Sequence, residues 1–226
     1  ARGAAVAVAL VEAYTQLLWM DPDVAGTLVD FIGACFAAHP HVAQSVFTLW
    51  AILKDADRDS KLPPGILNSL LQQLSAPCIA SFARFARRDS PFAEEPDELE
   101  QLRSAQQDIL VDIFCISDGQ PERELILALL CGQLKKAEAA ADLLGLEVVW
   151  FAFAGIAEAL ADEPQIPECY VAVLQSLFRT QAKSDSICAT GAALLRACGP
   201  HFELRLPEQL APAVRWLVSA VPYVPE

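Results

Sequence analysis

Residues 143–161 read LLGLEVVWFAFAGIAEALA, and the fold turns on what this run is. It is the closest approach to a membrane span in the chain, yet Glu147 and Glu158 break it short of the roughly 18 apolar residues that cross a bilayer. With Gly145 before it and Pro164 to Pro167 after it, the run reads as a helix over residues 146–161. The same three- and four-residue spacing of apolar side chains recurs in almost every segment, and strand-like alternation over more than four residues is hard to find. In residues 42–56, Val42, Val46, Leu49, Trp50 and Leu53 form one stripe, and Phe47 and Ile52 widen it, as a helix covered on more than one side requires.

The punctuation sets the boundaries. Asp21-Pro22-Asp23, His39-Pro40-His41, Pro63-Pro64-Gly65, Pro91, Pro96, Gly119-Gln120-Pro121, Gly145, Gly199-Pro200 and Pro207 interrupt the pattern. They leave ten helical stretches, near residues 3–19, 23–38, 42–56, 64–88, 97–117, 121–135, 146–161, 167–181, 185–198 and 207–220. Ten helices taken in pairs over 226 residues give a period of about 45, within the range of HEAT and armadillo repeats. The expectation is an all-α, α-α superhelix: one HEAT-repeat array of about five pairs, with repeats near 1–40, 41–90, 91–136, 137–183 and 184–226. A compact ten-helix bundle is the competing arrangement; regular pairing through short loops favours the array.

Composition agrees with a folded chain: 54% of residues are apolar, 20% are charged, and there are 10 Gly and 15 Pro. Sixteen basic side chains against 29 acidic ones give a net charge of −13, shared almost evenly between the halves. That field opposes direct nucleic-acid binding and favours basic protein partners. Seven scattered Cys with no C-x-x-C point to a reducing compartment, with the thiols serving as small core residues. The chain opens with Ala1 and the run ARGAAVAVALVEAY, which lacks a cleavage-site flank, and it ends in VPYVPE. Both ends read as cuts from a longer chain, with no signal peptide.

No motif for chemistry emerges. There is no G-x-S-x-G, no phosphate-binding glycine loop and no selectable acid/base pair, so the expectation is a protein without catalysis, metal or cofactor. In His39-Pro40-His41 the proline is a helix terminator and no third ligand is near; His201, after Gly199-Pro200, is expected in a loop facing water. Trp19, Trp50, Trp150 and Trp216 lie in apolar stretches and read as core or inter-repeat packing. Two charge clusters are the candidate binding residues. Arg84, Arg87 and Arg88 stand at offsets that put them on one helical face, suited to an acidic or phosphorylated partner. The acidic run after them holds Asp89, Glu94, Glu95, Asp97, Glu98 and Glu100; it suits a basic partner, or it is a solvated helix start that pairs with the arginines.

Three patterns, in this order, resemble the importin-β superfamily, in its transportin-SR and importin-thirteen branch. His39-Pro40 followed by Val46-Phe47-Thr48-Leu49-Trp50-Ala51-Ile52-Leu53 is similar to that branch's HP loop and aromatic helix, with Leu49 and Ala51 standing where it has aromatics. Asp97-Glu98-Leu99-Glu100-Gln101-Leu102-Arg103, then Asp108 and Asp112-Ile113-Phe114, resembles its acidic loop running into a helix. Leu146-Glu147-Val148-Val149-Trp150-Phe151-Ala152-Phe153 resembles W-E-V-x-E-A-x-x-F, with Leu146 and Trp150 as departures. The resemblance spans residues 24–220. It implies a middle segment of a nuclear transport receptor that shuttles between nucleus and cytoplasm, with the GTPase Ran, nucleoporins and basic or Arg/Ser-rich cargo as partners, and with neither nucleic acid nor membrane bound directly. It also implies that the second helix of each pair lines a concave surface, near which Arg84, Arg87 and Arg88 would meet Ran or an acidic cargo patch, and residues 94–100 a basic one. The alternative is a HEAT-repeat structural scaffold with no Ran dependence. A helical enzyme or lipid-binding bundle stands further off.

Overall fold

A computed structural model describes residues 21–38, 66–89, 96–116, 121–163, 166–181, 184–203 and 206–221, with isolated helical positions at 5, 6, 8, 9, 42, 52, 55 and 56. The expected helices 3–19 and 42–56 lie for the most part outside these residues, as do Trp19, Trp50 and the His39-Pro40-His41 loop. Among the described residues the structure is all helical, with no strand: α1 Pro22–Ala37, α2 Ile66–Phe85, α3 Pro96–Ile116, α4 Pro121–Ala139, α5 Leu143–Ala159, α6 Cys169–Arg179, α7 Asp185–Ala197, the single turn α8 Gly199–Phe202, and α9 Pro207–Ala220. None of these helices is long and apolar enough to cross a membrane.

Prolines and short polar side chains start the helices. Pro22 and Pro207 sit in the first turns of α1 and α9, where the missing N–H costs nothing. Asp21, Asp142 and Ser184 cap α1, α5 and α7, each accepting hydrogen bonds from backbone N–H groups one to two residues inside the helix. The end of α4 is a Schellman turn: the Asp142 N–H donates to the Ala137 carbonyl at 2.9 Å and the Ala141 N–H to Glu138 at 3.1 Å. Gly145, expected to break the chain, instead falls inside the first turn of α5.

The chain divides into two compact units, Ala1–Leu129 and Leu130–Glu226. In the first, α1 packs on α2 and α2 on α3. Arg84, in the last turn of α2, donates from Nη1 to the Ala37 carbonyl that ends α1, at 3.2 Å and 47 residues' separation, so the two C-terminal ends lie side by side.

In the second unit the helices form two layers. α5 packs extensively on α7, and α6 on α9, while α5 meets α6 and α7 meets α9 across the layers. Arg179, closing α6, pairs with Glu138 near the end of α4 at 2.6 Å, 41 residues apart. Arg196 in the last turn of α7 pairs with Glu158 in the last turn of α5 at 2.8 Å, 38 residues apart. The Trp216 indole N–H of α9 donates to the Thr180 carbonyl at the end of α6 at 3.0 Å, 36 residues apart. Thr190 of α7 donates to the buried Glu147 carboxylate of α5, 43 residues apart. Helices alternate in sequence are therefore parallel, in register and adjacent. That is the arrangement of an α-α helical repeat, in which each unit packs on its neighbours at a fixed sequence period.

Trp150, Phe153, Tyr170, Leu174 and Leu177 fill the space between the layers, and the Tyr170 hydroxyl donates to the Phe153 carbonyl at 2.9 Å. Trp150 and Trp216 are core residues as expected. The expectation for His201 is corrected: Gly199-Pro200 opens α8 rather than a loop, and His201 is buried. The outer face of α9 leaves Leu210, Val214, Leu217 and Val218 exposed.

Candidate interaction surface

The charged clusters meet where α2 ends and α3 begins. α2 stops at Phe85, three residues short of the expected end, and residues 86–89 bend and turn. Arg84, Arg87 and Arg88 therefore do not share one helical face. Arg84 lies on the last turn of α2, exposed, with its guanidinium 5.0 Å from the centre of the Phe85 ring. Arg87 closes a two-pronged pair on Asp89, from Nε to Oδ1 at 2.8 Å and Nη2 to Oδ2 at 3.0 Å. Arg88 reaches across to the first turn of α3, where Nη1 donates to Glu100 Oε1 at 2.6 Å. The structure thus pairs two of the arginines with the acidic run that follows them.

Asp97 and Glu98 occupy the first turn of α3, where the positive end of the helix dipole favours carboxylates. Asp97 is exposed and Glu98 half-buried. Glu94 and Glu95 lie outside the described residues. Beneath the cluster sits a side chain that the sequence reading did not single out. Arg103 is fully buried, its Nη1 donating to the Ala86 carbonyl just beyond α2 and its Nε 3.9 Å from Glu100 Oε2. Glu100 therefore bridges a half-buried and a fully buried guanidinium. The Glu100/Arg103 spacing of three on a helix was the available signal.

The pairs of Arg87 and Arg88 are partly open to water, where ion pairs contribute about 0–1 kcal/mol. Such pairs open at small cost, so the cluster can exchange an internal partner for an external one of either sign.

Two grooves lie in the second unit. One, of about 290 Å³, runs between α4 and α6 beside Cys131, Leu134, Cys169 and Ala172. The other, of about 310 Å³, lies at the ends of α6 and α9 beside Thr180, Pro212, Arg215 and Trp216. The thiols divide by position. Cys35, Cys78, Cys188 and Cys198 are buried, as small core residues should be, whereas Cys115 is exposed and Cys131 and Cys169 are half-buried. Burial pushes the Cys78 and Cys198 thiols up to about 12, which keeps them neutral and inert. Among the described residues no three His, Cys, Asp or Glu side chains come together to hold a metal ion.

Compared with protein-family models, curated proteins and solved structures, the chain matches none.

Proposed function

We propose that the chain is a protein-binding helical-repeat scaffold and forms a segment of a nuclear transport receptor of the transportin-SR and importin-thirteen type. In this reading it shuttles between nucleus and cytoplasm, and its hold on protein cargo answers to the nucleotide state of Ran. One observation carries the scaffold reading: side-chain bonds between parallel helices recur at separations of 36 to 47 residues, the signature of stacked repeats. Stacked repeats present extended side surfaces, a geometry for holding proteins. The net charge of −13 supports basic or Arg/Ser-rich partners over nucleic acid. Support for the transport assignment comes from the three sequence patterns at residues 39–53, 97–114 and 146–153.

The candidate contact comprises Arg84, Arg87 and Arg88 with Glu94, Glu95, Asp97, Glu98 and Glu100. Replacing the three arginines together, as Arg84→Glu, Arg87→Glu and Arg88→Glu, is expected to cut retention of Ran or of an acidic cargo patch about tenfold in a pull-down with the receptor, equivalent to about 1.4 kcal/mol. Helicity followed by circular dichroism should hold. Undiminished retention would remove these residues from the binding surface.

A second reading shares the fold and drops Ran: a repeat scaffold inside a multiprotein complex. The internal pairing of Arg87 with Asp89 and of Arg88 with Glu100 favours it, because it gives those guanidiniums a structural occupation.

A further inference from the structure

We propose that Cys131 and Cys169 are a modification site: a thiol pair that small disulfides such as oxidised glutathione convert reversibly into a disulfide tying α4 to α6. Cys131 shares one face of α4 with Lys135 and Glu138, at spacings of four and seven. Cys169 shares one face of α6 with Ala172 and Arg179, and these two faces line the same groove. The Arg179–Glu138 pair, at 2.6 Å, spans the two helices at their C-terminal ends. Both thiols are half-buried at the groove, within reach of a small reagent, unlike the four core thiols. Ala172, one turn from Cys169, lines the same groove.

The Cys169 thiol is pushed up to about 12, by burial first, then by the charge and hydrogen bonding of Cys131. Cys131 attacks in its thiolate form, which is the nucleophilic one. The Cys131 thiolate attacks one sulfur of oxidised glutathione, forms a mixed disulfide and expels one glutathione thiolate, which takes up a proton. With Cys131 capped, its charge no longer opposes ionisation of Cys169. Cys169 then gives its proton to water and its thiolate attacks the Cys131 sulfur, expelling the second glutathione. Two protein thiols are oxidised to one disulfide, and one oxidised glutathione is reduced to two thiols. The bond joins neighbouring repeats of one layer, so it stiffens the array under oxidising conditions and is undone by excess reduced glutathione.

The experiment uses the full chain carrying Cys115→Ser, which removes the exposed thiol. After reduction, it is incubated with oxidised glutathione and mapped by peptide mass spectrometry without reductant. The expected product is lighter by two hydrogens, with the peptides bearing Cys131 and Cys169 linked. Its melting midpoint is expected to be raised by roughly 5–10 °C, and both changes reversed by dithiothreitol. Adding Cys169→Ser should stop the reaction at a glutathione adduct on Cys131. A stable glutathione adduct on the chain that retains both thiols, a linkage between any other two cysteines, or no reaction at either would overturn the proposal.

Discussion

Ala141 ends α4 with a φ of 51°, in the left-handed region where a Cβ crowds the backbone and glycine is the usual occupant. Ala141→Gly is therefore expected to stabilise the protein by about 1 kcal/mol, read as a higher urea midpoint at unchanged slope. Gly191 is the opposite case. A Cβ there would come within 2.9 Å of Leu177 Cδ1 and of Trp216 Cζ2, so α7 depends on a missing side chain to approach α6 and α9. Gly191→Ala is expected to cost about 1–3 kcal/mol in the same titration despite the gain in helix propensity; a stabilised variant would show that the three helices are not so closely seated. Neither position is legible in the sequence. Ala141 has the identity of a helix interior, and Gly191 sits in a run of small residues, Ala189-Thr190-Gly191-Ala192-Ala193, that singles out no position. The burial of His201 was hidden for a related reason, since Gly-Pro reads as a loop wherever nothing shows that the next turn will be helical. The pairing of the arginine and acidic clusters was legible as one of two readings. Which arginines pair depends on α2 ending at Phe85, and the run Phe85-Ala86-Arg87-Arg88 contains no breaker to announce it.

Within single elements, the sequence located helices better than their ends. Proline marked the starts of α1, α3, α4 and α9, because its fixed φ and missing N–H suit a first turn and little else. The end of α4 ran past the expected residue 135 because Lys136, Ala137, Glu138 and Ala139 are all good helix formers. Pro77 in α2 and Pro212 in α9 are tolerated inside helices, where tertiary packing overrides the local preference. α9 shows how sharply one element can divide. Gln209, Ala213, Trp216 and Ala220, at spacings of four, three and four, face inward, whereas Val214 and Val218 are 52% and 67% exposed. Trp216→Ala is expected to destabilise by about 3–5 kcal/mol, while Val214→Lys together with Val218→Lys should stay within about 0.5 kcal/mol per site. Guanidinium chloride titration separates the two cases. Comparable losses on both faces would mean that the outer face is covered.

At the scale of the whole molecule, the all-helical class was legible from apolar spacing and punctuation alone, which need no contact. The layers were not legible. They appear only when bonds such as Arg179–Glu138 and Arg196–Glu158 show which helices are neighbours, and amphipathic stripes alone fit a bundle equally well. The acidic surplus is also a property of the whole chain. A partner held by it should dissociate progressively as salt rises, because screening shortens the reach of exposed charges to about 8 Å at physiological ionic strength. The proposed dependence on Ran is likewise a property of the whole receptor. The most direct test is capture of the cellular polypeptide carrying this sequence on Ran locked in its GTP-bound form and, in parallel, on Ran bound to GDP. Retention on the GTP form and little on the GDP form is expected; equal retention on both, or none on either, would overturn the proposed Ran dependence.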